Sequence, residues 1–209
     1  VKDMLSDFQI EPKKITTIYN GINFNEKKTY NLDELRKELN LDKTCFVIVM
    51  VARFDPVKRH SLAIRSLKRV VKNNPELDIK MLLIGEGPVK KDIEKEVERL
   101  GLEDNILFLG YQNDVAKYYQ LADVTLLTSK TESFPLVLLE SAREGTPVIT
   151  TNVGGVSKMI PNSKYGFIVE KDNEENIAEA LQKAIELYKN NLLEKMGKNF
   201  NKYTSTHFS

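Results

Sequence analysis

The 209-residue chain has no tryptophan, one cysteine and two histidines. Cys45 alone forms no internal disulfide, and His60 and His207 lie too far apart in sequence to begin a metal cluster, so redox stapling and metal chemistry are both disfavoured. No apolar run reaches the ~18 residues that a membrane span needs, and the N-terminus has no basic-then-apolar leader layout. Charge of one sign is also lacking. Thirty-one Lys and Arg stand against 30 Asp and Glu, giving a formal charge of +1, so no global field recruits nucleic acid or anionic lipid. Any anion site must be local. These absences fit a metal-free, cytoplasmic protein. The chain starts at Val1 rather than Met and reads as cut from something longer.

Apolar residues make up 41% and charged residues 29%, ordinary for a globular domain with a sizeable core. At ~150 residues per domain, the length predicts one domain with peripheral elements. Residues 1–44 read as a lead-in with a strand and a helix, 45–191 as the main domain, and 192–209 as a helical tail that stops short.

In the lead-in, Ile15 to Tyr19 is β-branched and ends at Asn20-Gly21, which predicts a strand entering a turn. Leu32, Leu35 and Leu39 have helical spacing across Leu32 to Leu41. Cys45 to Ala52 is a continuous apolar run, the mark of a strand buried on both faces. Helices and strands then alternate. The strands are Ile79 to Ile84, Ile106 to Leu109, Val124 to Leu127, Val148 to Thr150 and Phe167 to Val169. Helices separate them, and Glu174 to Tyr188 closes the series. Short βαβ connections of this kind predict an α/β fold with a doubly wound parallel sheet. Ligands of such sheets bind beyond the carboxyl ends of the strands, so the loops there hold the candidate residues.

After the first buried strand, Arg53 and Lys58 could converge on one anion, and a diphosphate suits two cations. Two solvated surface charges would read the same way. The next loop, Gly85-Glu86-Gly87-Pro88, shares part of a dinucleotide-binding fingerprint. The third glycine is replaced by Lys90, which disfavours NAD; a tight turn explains these glycines equally well.

The segment from Thr131 to Ala142 is the most informative. Apolar residues surround Glu140 on its helix, so its carboxylate needs a partner, either the vicinal hydroxyls of a ribose or an arginine such as Arg143 or Arg53. Glu132 lies in the preceding loop, either as a ligand of a polyol or as an acid complementing the helix dipole. Ser133, Phe134 and Leu136 offer backbone N–H groups at the helix start, where Pro135 offers none. Gly154-Gly155 reads as a plain turn, and His60 as a surface or helix-start residue.

Taken in order, Asn20-Gly21-Ile22, Val51-Ala52-Arg53-Phe54 with Lys58, Gly85-Glu86-Gly87-Pro88, Glu132 to Glu140 and Gly145 to Gly155 resemble one family. It is the C-terminal half of the GT-B retaining glycosyltransferases of family four, which include capsule, lipopolysaccharide and sucrose or glycogen synthase-like enzymes. The likeness covers roughly Ile15 to Tyr188. It implies a Rossmann-like domain that binds a nucleoside diphosphate sugar, with UDP as the expected nucleotide on family frequency.

Roles carried over by this resemblance are catalytic for Arg53, Lys58 and Glu132, with the two cations holding the donor diphosphate and Glu132 touching the sugar. Glu140 would bind ribose. Ser133, Phe134, Leu136 and Val137 match phosphate and sugar contacts, Gly110 and Tyr111 match the loop beside the base, and Gly85 and Gly87 line the cleft. No metal or other cofactor is implied. The acceptor, a glycan or lipid-linked molecule, would be held by an absent N-terminal domain, so the chain alone is expected to bind donor without transferring sugar. Peripheral association of the full-length protein with the inner face of the cell membrane is a further expectation, and no nucleic-acid partner is implied. Two features depart from the family pattern: Ser133-Phe134-Pro135 stands where Gly-Phe-Gly is common, and Lys158 where an acid often follows the double glycine. A non-catalytic nucleotide-binding or scaffold module of the same fold is the alternative; a nucleotide-sugar epimerase fits these residues less well.

Overall fold

The computed structural model describes residues 14, 16–26, 28–170 and 173–209. After a first helix, α1 (Leu32–Glu38), the order is β1 (Phe46–Val51), α2 (His60–Asn73), β2 (Ile79–Ile84), α3 (Lys90–Leu100), β3 (Ile106–Gly110), α4 (Ala116–Leu121) and β4 (Val124–Leu127). There follow α5 (Leu136–Glu144), β5 (Val148–Thr151), a short α6 (Val156–Met159), β6 (Gly166–Val169), α7 (Glu174–Lys189) and α8 (Leu193–His207).

The strands form one six-stranded sheet in the order β3-β2-β1-β4-β5-β6, with every neighbouring pair parallel. Along β1, Phe46, Ile48 and Met50 enter one core while Val47 and Val49 enter another. That period-two division explains why the strand's sequence is apolar throughout: each face meets helices. Leu62, Ile64 and Leu67 of α2 and Ile177, Leu181 and Ile185 of α7 cover the first face. Tyr118 and Tyr119 of α4 cover part of the other, and Leu138 and Leu139 of α5 pack there with Phe200 of α8. The C-terminal helix is therefore an integral part of this layer.

The order in which strands are added reverses at β1, with β2 and β3 laid to one side and β4 to β6 to the other, so the carboxyl ends of β1 and β4 flank a crevice at the topological switch point. Helix ends follow local chemistry. Asn173 caps α7 by accepting from the N–H groups of Glu175 and Asn176, while Asn31 caps α1 through Glu34 N–H. Helix α1 stops at Glu38 rather than near Leu41 because Asn40 takes φ of 52° and turns the chain away. The strand expected from Ile15 to Tyr19 is not formed over residues 16–19; Ile15 itself lies outside the described residues. Its β-branched composition has no sheet neighbour, and Ile18 is 88% exposed.

Candidate functional site

The loop after β1 is anchored by its one large apolar side chain. Phe54 is fully buried, its N–H donates to Glu86 O at 3.0 Å, and its carbonyl accepts from Val89 N–H at 3.2 Å. Gly87 permits this approach, since a Cβ there would lie 2.3 Å from Phe54 O. The glycines at 85 and 87 thus seat the Arg53 loop against the next one, a packing role that sequence could not separate from cleft lining. Arg53 itself is exposed, and its guanidinium has no hydrogen bond or ion pair among the described residues.

A single turn of 3-10 helix, Pro56–Lys58, carries the second cation. Asp55 caps it by accepting from Val57 N–H at 3.1 Å, Lys130 N–H donates to Val57 O at 2.7 Å, and Thr128 Oγ1 donates to Lys58 O at 2.8 Å. Lys58 is therefore fixed to the end of β4 as well as to its own loop. Its Nζ pairs with Glu132 Oε1, which also accepts from Ser129 Oγ at 2.6 Å. The side chains of Lys58 and Glu132 are only 25% and 14% exposed, so the pair is partly withdrawn from water. Two residues predicted to serve one ligand are each other's partners in the structure.

Residues 131–134 are shaped by Gly154-Gly155, which is more than a plain turn. Gly154 has φ of +50°, and a Cβ there would sit 2.1 Å from Glu132 O. Gly155 N–H donates to Ser133 O at 3.0 Å. Phe134 stacks on Tyr19 at 5.3 Å and packs against Phe208 at 5.5 Å. Its ring is thus occupied by aromatic packing, leaving backbone groups for any ligand. Helix α5 begins at Leu136 with no side-chain cap, so the N–H groups of Leu136 and Val137 face the loop as donors at a helix N-terminus. Ser133 and Leu136 are exposed and Val137 is half-buried.

Glu140 is half-buried on α5, and its partner is Tyr119, whose hydroxyl donates to Oε2 at 3.1 Å. Neither arginine considered from sequence takes that place. Arg143 Nε instead pairs with Glu144 Oε1 at 2.8 Å, and Glu144 Oε2 accepts from Gln120 Nε2 at 2.7 Å. Glu144 is the buried acid of this helix, while Glu140 keeps Oε1 unused by the described residues. Burial, then the charge of Glu140, pushes the Tyr119 phenol well above its ordinary range, so it remains a donor.

Gly110 has φ of +64° and accepts from Gly85 N–H through its carbonyl at 2.8 Å, which joins the third loop to the second. Tyr111 projects outward and is 72% exposed. His60, read from sequence as a surface or helix-start residue, does open α2 but is only 2% exposed. Its ring stacks on Phe54 at 4.2 Å and neither ring nitrogen has a partner. A cleft of about 720 Å³ lies at the opposite, amino-terminal edge of the sheet, beside Asp123 and Pro147, and shares none of the predicted residues.

The carboxyl edge of β1 and β4 thus presents the exposed cations Arg53 and Lys130, a Lys–Glu pair, uncapped helix N–H groups and a carboxylate held from behind by tyrosine. That set can hold a polyanion and a diol together.

Residues 31–203 match the family described as glycosyl transferases group 1. The chain is 34% identical over 181 residues to N-acetyl-alpha-D-glucosaminyl L-malate synthase of Bacillus anthracis, covering 86% of this chain and 46% of that protein. It is 28% identical over 180 residues to UDP-Gal:alpha-D-GlcNAc-diphosphoundecaprenol alpha-1,3-galactosyltransferase of Escherichia coli, covering 85% and 46%. Among solved structures, Anabaena HepE in complex with UDP aligns with a TM-score of 0.88 at 23% identity, covering all of this chain and 57% of that one. The chain spans about half the length of the curated relatives it matches.

Proposed function

Since the chain belongs to the glycosyl transferases group 1 family, we propose that it is the donor-binding half of a GT-B glycosyltransferase and takes a nucleoside diphosphate sugar, with UDP as the nucleotide. The observation carrying this reading is the meeting of Lys58 and Glu132 at the switch point, beside exposed Arg53 and the start of α5. UDP is supported by the UDP bound in HepE and the UDP-sugar in the name of the Escherichia coli relative.

In this reading the diphosphate lies against Arg53 and the N–H groups of Leu136 and Val137, and draws Lys58 away from Glu132. Glu132, released, accepts from hydroxyls of the sugar. Glu140 accepts from the ribose diol through the oxygen that Tyr119 leaves open. During transfer, the bond from the anomeric carbon to the phosphate oxygen breaks, and fixed cations stabilise the growing charge on the departing diphosphate. No metal is needed for that neutralisation. The acceptor oxygen bonds the same face of the anomeric carbon, giving retention, and its proton passes to the leaving phosphate oxygen. The acceptor is a glycan or lipid-linked molecule held by another domain, the setting is cytoplasmic, and the product belongs to a cell-surface glycan. The chain alone binds donor and does not transfer.

The test is calorimetric titration of the chain with UDP, GDP and ADP. Saturable binding of UDP in preference to the others is expected, with Tyr119→Phe weakening it about three- to tenfold, because Glu140 loses the hydrogen bond that orients it and only part of that bond's energy is felt by the ligand. Failure of all three nucleotides, in a chain whose melting is cooperative, would favour a scaffold role for the same fold.

A further inference from the structure

The loop that leads from Glu132 into α5 has one large apolar anchor, Phe134, and its ring lies in a slot built from three other parts of the chain. Tyr19 of the lead-in stacks on it, with centroids 5.3 Å apart and planes 27° from parallel. Phe208, just past α8, leans against it at 5.5 Å. Gly155 supplies the third wall: a Cβ there would stand 2.5 Å from Phe134 Cδ2, so a larger residue would push the ring out. The two aromatic walls are themselves joined. Tyr19 and Phe208 are 6.2 Å apart, Ile22 N–H donates to Phe208 O at 3.0 Å, and a Cβ on Gly21 would lie 2.5 Å from that same oxygen. Phe208 N–H in turn donates to Thr204 O at 2.8 Å, which ties this wall to the end of α8. Residues 16–19 join no sheet, and this contact is what fixes them.

Phe134 stands two residues from Glu132 and two from Leu136, and two residues span at most about 7 Å. Pro135, between the ring and the helix, is buried and has a fixed φ, which leaves little slack. The position of the ring therefore sets the carboxylate that pairs with Lys58 on one side and the N–H groups of Leu136 and Val137 on the other. We propose that Tyr19 and Phe208 are positioning residues for nucleotide binding, acting through Phe134 so that Glu132 and the start of α5 face the donor together. This inference rests on the donor reading above. Backbone donors bind an anion well when they are already aimed, since ordering them on binding subtracts from affinity. Loss of either wall frees the ring, and affinity falls although the sheet and both cations stay in place.

Tyr19→Ala tests this, because Tyr19 is 43% exposed and its removal leaves the core intact. By calorimetry the variant is expected to bind UDP about three- to tenfold more weakly, the range of one aromatic pair, with its urea midpoint nearly unchanged. Tyr19→Phe should keep the parent's affinity, since the ring alone is used. Phe208→Ala should weaken UDP similarly and also lower the midpoint, that ring being buried. Hydrogen exchange reads the loop without any ligand. In Tyr19→Ala the Gly155 amide, which donates to Ser133 O, should exchange faster by a similar factor, while the Lys130 amide, which donates to Val57 O, exchanges as in the parent. As a control, Tyr165→Ala removes a ring 4.8 Å from Tyr203 in the same aromatic group and should leave UDP affinity alone. Equal UDP affinity in Tyr19→Ala and the parent overturns the proposal, as does an equal loss in Tyr165→Ala or Tyr19→Phe. A parent chain that binds no UDP, with Gly155 exchange still quickened by Tyr19→Ala, overturns the donor reading instead and makes the slot a feature of folding alone.

Discussion

Replacing Lys58 with alanine is expected to weaken UDP binding by about 10- to 100-fold, the cost of losing a charge-assisted hydrogen bond to phosphate. Two effects act in the same direction. The substitution deletes a cation, and it leaves Glu132, only 14% exposed, as an uncompensated negative charge where the diphosphate must lie. Glu132→Gln should act oppositely on the bare nucleotide. With its partner neutralised, Lys58 is no longer engaged, and UDP affinity should hold or rise, while the advantage of UDP-sugar over UDP disappears. The two substitutions combined should then depart from the sum of their separate effects, because residues in contact share their energy. Calorimetry on the four proteins of this cycle measures the coupling. Equal UDP affinity in the Lys58→Ala variant and the parent chain would remove the chemical basis of the proposed donor site.

Stability is expected to fall by about 2 kcal/mol between about pH 7 and pH 5 on account of His60 alone. Burial, and secondarily the neighbouring Lys58 charge, lower its pKa from 6.5 to about 4. The folded chain therefore holds His60 neutral while the unfolded chain takes up a proton below 6.5. Its full contribution is present above that value and is lost progressively as pH falls toward 4. Asp123 acts with the opposite sign, since burial raises it from 3.8 to about 6 and the folded state is the better proton acceptor in that window. The parent chain's profile therefore blends both groups, and a variant is needed to isolate one. His60→Phe, which can keep a ring stacked on Phe54, should show a shallower loss of urea midpoint on acidification than the parent. Parallel profiles for the two proteins would contradict the assignment. Because His60 lies only two positions beyond Lys58, acid loosening of this ring is also expected to reach the proposed diphosphate loop.

How far the sequence was legible depended on the range of the forces involved. Strands β1, β2 and β4 were plain because burial on both faces leaves almost only apolar residues, Lys80 and Thr125 excepted, and the parallel sheet followed from their alternation with helices, whereas the strand order did not. Individual candidates at the carboxyl edge were legible too, each from its own loop. Their partners were not. Tyr119 meets Glu140 from a neighbouring helix, and the pairing of Lys58 with Glu132 bridges two different loops, relations that no local periodicity encodes. Arg143 stands one helical turn from Glu140, but its guanidinium turns to Glu144 instead. The burial of His60 arises because Phe54 folds back over it, and Gly154 reads as a turn until the backbone of Glu132 is seen against it. The opposite error occurred at residues 16–19, where β-branched composition suggested a strand and the sheet supplied no edge.

The Lys58–Glu132 contact joins positions separated by 74 residues, and both loops are aligned only after β1 and β4 have paired. Such non-local closure comes late for a parallel sheet, since the chain must first give up the loop entropy of everything between. A partly folded chain, even one with its helices and its β1–β2 pair in place, would own every residue of the proposed site and yet have no site. A ligand that bridges the two loops consequently recognises only the completed sheet, and by mass action would draw the folding equilibrium toward it.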